Sequence, residues 1–293
     1  MKSRFMSAAA ITWLLLLFAG AGICQDKISA SEWTEKIGQG AVNWSAGYIE
    51  AVGIGAPSDK SIGKASARPM ALRAAKVDAY RNLLEVTKGV QVDSTTTIKD
   101  FTVESDVINT QVNGLVKGAK VVDQQYMSDG TVEVKIRMSL YGSLSEVIVP
   151  ASIEKRKNLK PDEEPAAPAA PAESAAKEPP TVYTGLVVDA RGIQARPAMS
   201  PRIFDEDGKE VYGSANVDRE YAVQQGMSGY ARDLTAAQSN QRVTNSPVTV
   251  KALKTSGAGK ADLVISNADA QQLRASADNA AFMKKCRVMI VLD

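Results

Sequence analysis

From Thr131 to Leu140 the chain alternates. Val132, Val134, Ile136, Met138 and Leu140 fall on one side, and Thr131, Glu133, Lys135, Arg137 and Ser139 on the other. A period of two predicts a strand with one packed and one wet face. Asp129-Gly130 just before it suits a tight turn, which predicts an antiparallel partner over about residues 119–127. Upstream, Leu72, Ala75, Ala79, Leu83 and Val86 recur at spacings of three and four, with Arg73, Arg81, Glu85 and Lys88 opposite them. That stripe predicts a helix. Pro69 suits its start, where amides lack helical partners anyway, and Gly89 its end, where glycine readily turns left-handed. The small Ala75 and Ala79 predict a close approach to a sheet. Further strands are expected at 47–55 and 90–98, and a short helix from about Ser105.

Beyond residue 180 the signals are of the same kind. Strands are expected at 184–189, 248–253 and 286–292, and a hairpin over 202–212 turning at Asp207-Gly208. Ser266 is placed to cap a helix over 267–277, with Asp269 in the first turn, where the helix dipole favours an acid. Between these halves, seven of the twelve prolines fall from Pro150 to Pro180, mixed with alanine. Such a stretch buries too little apolar surface to offset its ordering entropy, so it reads as an extended linker. The expected architecture is α+β: two small domains, 40–150 and 181–293, each an antiparallel sheet with helices packed on one face. A disordered Pro/Ala-rich linker over 151–180 joins them.

Residues 1–24 stand apart. Lys2 and Arg4 precede an apolar run from Ala8 to Phe18 and the small residues Ala19-Gly20-Ala21-Gly22, the three-part pattern of a secretory signal peptide. A retained membrane anchor is the competing reading, and the small-x-small site at Ala19-Gly20-Ala21 speaks against it. The leader holds two basic residues and no acid, so the remainder carries 33 of each sign. With no net field, and no basic run interleaved with aromatics, nucleic acid is not an expected partner.

The only cysteines are Cys24 and Cys286, so no disulfide framework is expected. Cys24, just past the leader, is a candidate lipid-attachment residue, although Ile23 before it is larger than such sites favour. Cys286 opens the apolar run to Leu292 and reads as a buried strand cysteine.

The chain has no histidine. That removes Ser-His-Asp and Cys-His catalysis, imidazole metal sites and the commonest proton shuttle near neutrality. Gly53-Ile54-Gly55 lacks the further residues of a phosphate loop and reads as close backbone packing. Asp205, Glu206 and Asp207 read as turn acids. Ser143 and Ser145 with Lys155 lack any mark of a Ser-Lys pair, and Glu133, Lys135 and Arg137 read as a solvated strand face or a polar subunit contact. No catalytic, cofactor-binding or metal site is therefore expected, and no cofactor; the chain does not read as an enzyme.

The run Arg68 to Leu84, then Gly89-Val90-Gln91-Val92, then Gly118 to Tyr141 with its Asp129-Gly130 turn, resembles the Lpp-twenty family of small bacterial envelope lipoproteins. That family looks related to flagellar FlgP and to the N-terminal domain of the flagellar T-ring protein FlgT. The resemblance covers about residues 45–150. It implies a non-enzymatic periplasmic or outer-membrane-associated protein, with a flagellar accessory role in some members, and it carries no site residues across. The expected function is thus structural or assembly work in the bacterial envelope, on the periplasmic side. Other envelope or flagellar proteins and further copies of the chain are the expected partners, with membrane association through Cys24 or a partner. A periplasmic binding module for a lipid, glycan or peptide is the alternative.

Overall fold

The computed structural model describes residues 32–158, 183–275 and 277–293. The leader, Cys24 and the linker from residue 159 to 180 lie outside the described residues. Among those that are described, no helix is long and apolar enough to cross a membrane.

The first domain is built on strands β1 (Thr34–Ile37), β2 (Gly40–Asn43) and β3 (Tyr48–Gly55), followed by helix α1 (Ala67–Gly89). Helices α2 (Ile98–Glu104) and α3 (Asp106–Lys117), strands β4 (Lys120–Tyr126) and β5 (Val132–Ser139), and helix α4 (Ser143–Asn158) complete it. The sheet is antiparallel in the order β1-β2-β3-β5-β4. The alternation holds: Val132, Val134 and Ile136 are fully buried, pairing with Gly55, Gly53 and Ala51. Gly130 takes the turn at φ 88°, and Asp129 Oδ1 accepts from Thr131 N at 2.9 Å.

Helix α1 lies directly on β3, for a reason written into both. A Cβ at Gly53 would fall 2.1 Å from Ala79 N, and one at Gly55 2.1 Å from Ala71 O. Bare glycine backbone faces bare alanine on the helix, so the two main chains touch. The buried stripe of α1 is Ala71, Ala75, Ala79, Leu83 and Val86; Leu72 sits half-buried at its margin. Past Ala51, β3 runs beyond the end of β2. There Val52 O accepts from Asn82 Nδ2 at 2.7 Å, and Ile54 N donates to Asp78 Oδ2 at 3.1 Å. Two helix side chains thus occupy hydrogen-bonding positions a missing strand would take.

Three expectations change here. Gly89 is the last helical residue without a positive φ, and the helix ends on the extended Val90. Residues 90–98 form no strand: Asp93 Oδ1 accepts from Thr95 N and Thr96 N, folding the chain into a tight loop closed by a single bridge between Gln91 and Thr97. The third concerns α4, which runs to Asn158 and makes helix of residues assigned to the start of the linker.

The second domain holds β6 (Gly185–Asp189), β7 (Ile203–Phe204), β8 (Glu210–Tyr212), α5 (Arg219–Gln225), β9 (Gly229–Ala231) and α6 (Leu234–Gln238). It continues with β10 (Pro247–Ser256), β11 (Asp262–Ile265), α7 (Asn267–Arg274), α8 (Ala277–Lys284) and β12 (Val288–Val291). Their sheet order is β8-β7-β11-β10-β6-β12-β9. The class is α+β with two domains, as expected, but this sheet is not antiparallel. β10, β6, β12 and β9 run parallel to one another, and β7 pairs parallel with β11. The cause is burial on both faces: Leu186, Val187 and Val188 are all solvent-free, as are Val288 and Val291. Val187, Met289 and Val291 pack on the α6 side, with Ala237 and Leu234, while Leu186, Val188 and Ile290 join the main core. Strands covered on two sides carry unbroken apolar runs and suit parallel pairing.

Candidate functional site at the domain junction

The main core does not stop at the domain boundary: buried residues from Val42 to Leu292 belong to one cluster. Three seams make the junction. In the first, Trp44 is fully buried and meets the ring of Tyr230 edge-on, centroids 5.7 Å apart. Ser45 Oγ donates to Tyr230 O at 2.6 Å, and Trp33 Nε1 donates to the carbonyl of Asp293 at 2.9 Å. The Tyr230 hydroxyl both donates to Ala198 O at 2.7 Å and accepts from Ala198 N at 2.9 Å. Burial raises its phenol far above the ordinary tyrosine range. Arg196 forms an ion pair with Glu35, which also accepts from Trp44 Nε1.

The second seam is the 90–97 loop itself. Its carbonyls at Gln91 and Val92 accept from Met199 N and Ser200 N at 3.1 and 2.8 Å. Ser94 Oγ accepts from Asp262 N at 2.8 Å and donates to Ser256 O at 3.1 Å, while Ser94 O accepts from Gly259 N at 2.6 Å. A Cβ at Gly257 would sit 2.4 Å from that of Ser94, so the loop needs glycine to dock. The third seam is Tyr141, whose ring lies between the backbones of Gly47 and Gly226; beside it Gly142 N donates to Val223 O at 2.8 Å.

These contacts make the junction stiff. Removing an aromatic ring as buried as Trp44 costs about 3–5 kcal/mol in typical cores, and each buried hydrogen bond contributes about 0.5–1.5 kcal/mol. The two domains therefore stand in a fixed relation, and β6 does not hang free at the end of a tether.

Residues raised by the sequence as chemistry have other work. Asp205 is 4% exposed and ion-paired with Arg274 at 2.7 Å. Burial alone would raise its carboxyl, but the Arg274 and Lys209 hydrogen bonds together outweigh that and hold it below the usual range. Glu206 accepts from Asn267 N at 3.0 Å and Asp207 from Asn267 Nδ2 at 3.1 Å, so the three acids fasten the β7-β8 turn to α7. Ser145 is buried and donates to Leu140 O at 3.2 Å, while Ser143 is exposed at the start of α4; of Lys155 only its place on α4 is described. Arg137 is bound by Glu50 at 2.9 Å and lies over the Tyr48 ring, whereas Glu133 and Lys135 line the same half-exposed face.

Cys286 is buried, as read, but it precedes β12 at φ 53° and is not a strand residue. Burial pushes its thiol up to about 11, which leaves it protonated and a poor nucleophile near neutrality. Cys24 lies outside the described residues. The junction residues Trp44, Ser94, Tyr141 and Tyr230 escaped the sequence reading. Trp44-Ser45-Ala46-Gly47 has no periodicity, and Ser94 sits in a polar run that resembles any loop.

One sheet margin is open. β4 is an edge strand with six of its seven residues exposed, among them Val122 at 46% and Tyr126 at 51%. A bulge between Val121 and Asp123 bends it.

Comparison with protein families finds similarity over residues 185–293, which match the family described as the second domain of Treponema pallidum Tp0624. That match spans nearly all of the second domain, from β6 to the C-terminus. No curated protein matches the chain.

Proposed function

We propose that this chain is a non-catalytic structural component of the bacterial envelope that works by subunit contact at the β4 edge. The observation that carries the reading is a long, exposed sheet edge mounted on a rigid two-domain body. Such an edge offers unpaired amides and carbonyls to a further strand, and a stiff junction transmits the position of one contact to the rest of the molecule.

The partner we assign to that edge is a second copy of the chain. Antiparallel pairing of two β4 strands with Lys120 opposite Asp123 sets opposite charges across the two-fold axis twice and brings Val121 against Val122. Lys120 and the bulge discourage indiscriminate pairing, so the edge is selective. The leader pattern supports export, with the mature chain on the periplasmic side or at the outer membrane through Cys24 or a partner. The Lpp-twenty resemblance over 45–150 supports an accessory role beside other envelope or flagellar proteins.

Sedimentation analysis of residues 25–293 tests this reading. Wild type is expected to associate with rising concentration. Val122→Glu, exposed in the monomer, is expected to stay monomeric with unchanged thermal stability. A wild type that is monomeric throughout contradicts the proposal.

A further inference from the structure

At the junction a cleft of about 440 Å³ opens between the domains, lined by Ser45 and Tyr141 on one side and by Gln225, Gly229, Gln241 and Arg242 on the other. No acid belongs to its lining among the described residues. Arg242 is half-buried there, and it differs from Arg137, Arg202 and Arg274, each of which is bound to a carboxylate. Arg242 Nη1 donates to the carbonyls of Gly226 and Cys286 at 3.1 and 2.9 Å, and Nη2 donates to that of Gln225.

Two of those carbonyls end α5, so Arg242 has a plain structural use as a helix C-terminal cap. Capping, however, takes only three of the five guanidinium hydrogens. Nε–H and the second Nη2 hydrogen have no acceptor among the described residues. These two lie on one edge of the guanidinium plane and form the fork that grips two oxygens of a carboxylate or phosphate.

The wall beside that fork requires glycine. A Cβ at Gly229 would come 3.0 Å from Arg242 Nε and 2.5 Å from Met289 Sδ, so a larger residue there would displace the guanidinium. The Tyr141 hydroxyl, on the opposite wall, has no hydrogen-bond partner among the described residues. Burial raises its phenol, so near neutrality it carries its proton and can donate.

We infer that this cleft binds a small molecule through an oxyanion group, a carboxylate or a phosphate, with the Arg242 fork gripping the anion and the Tyr141 hydroxyl donating a third hydrogen bond. Its volume falls in the ordinary range of small-molecule sites, so the group is the anchor of a modest polar ligand. Because both domains line the cleft, the ligand bridges them. This site is separate from the β4 edge, and it stands or falls independently of subunit pairing.

Isotope-labelled chain of residues 25–293 is titrated with inorganic phosphate and, separately, with sodium acetate, at constant ionic strength set by sodium chloride, following the Arg242 Nε–H signal. A saturable shift with either probe, and none with chloride alone, is the expected result. Phosphate alone, acetate alone, or both identifies the anchoring group. Tyr141→Phe keeps the ring between Gly47 and Gly226 and is expected to weaken binding about 5- to 10-fold, the loss of one hydrogen bond. Gly229→Ala is expected to abolish it. Absence of a saturable shift with both probes, or equal binding by wild type and Tyr141→Phe, overturns the assignment.

Discussion

Replacing Gly53 by alanine adds one methyl group where α1 and β3 touch. Its carbon would lie 2.1 Å from Ala79 N and 2.4 Å from Ala75 O, both backbone atoms that cannot rotate away. Ordinary contact begins near 3.4 Å, so the helix must retreat by about 1 Å. Overpacking of this kind costs about 1–3 kcal/mol. The retreat also stretches the Asn82 bond to Val52 O and the Asp78 bond to Ile54 N, now 2.7 and 3.1 Å, at about 0.5–1.5 kcal/mol each. Together the expected loss is about 2–6 kcal/mol. At about 2–4 °C per kcal/mol for a body of this size, the midpoint falls by about 4–24 °C. Gly114→Ala is the control, since nothing lies within 4 Å of its would-be Cβ; in an exposed helix interior it should stabilise by about 0.5–1 kcal/mol. Circular dichroism during urea and thermal unfolding measures both. Gly53→Ala within about 0.5 kcal/mol of wild type would refute the close-contact argument.

Three further outcomes follow from the junction and the buried charges. Trp44→Ala should lose about 3–5 kcal/mol and split one cooperative unfolding transition into two, read by calorimetry; a single unshifted transition contradicts the shared core. Asp205 has a carboxyl pKa depressed in the folded state, so its contribution is present above the unfolded value of about 4 and is lost as pH falls through the native one. Urea midpoints of wild type and Asp205→Asn should accordingly differ at pH 7 and converge in acid, and a gap that widens in acid would contradict the assignment. With its thiol raised to about 11, Cys286 should resist a thiol reagent at pH 8 in folded residues 25–293 and react fully in urea; rapid labelling of the folded chain would refute its burial.

The most regular parts of the fold were legible because their periods are long and clean. β5 with the residue just after it shows five alternating apolar positions, and α1 carries its stripe through 23 residues. Even the glycine-alanine contact could be foreseen from Ala75, Ala79 and Gly53-Ile54-Gly55. β1 and β2, four residues each, are too short to establish a period, and β9 is three residues of Gly229-Tyr230-Ala231. The parallel pairing of β6 and β12 did leave a trace, the unbroken runs Leu186-Val187-Val188 and Val288-Met289-Ile290-Val291, but an apolar run shows burial before it shows direction. The junction left almost none. Ser94 reaches Asp262 across 168 positions and Trp33 reaches Asp293 across 260, and no local pattern encodes partners so distant.

Charge exchange at β4 tests subunit pairing most directly. Lys120→Glu alone sets acid against Asp123 twice across the two-fold axis, and Asp123→Lys alone sets base against Lys120 twice. Mixed, the two variants restore an opposite pair at both contacts. Sedimentation of each variant alone is expected to show monomer, and of the equimolar mixture a dimer. A mixture that stays monomeric, or single variants that pair as well as wild type, contradicts assembly through this edge.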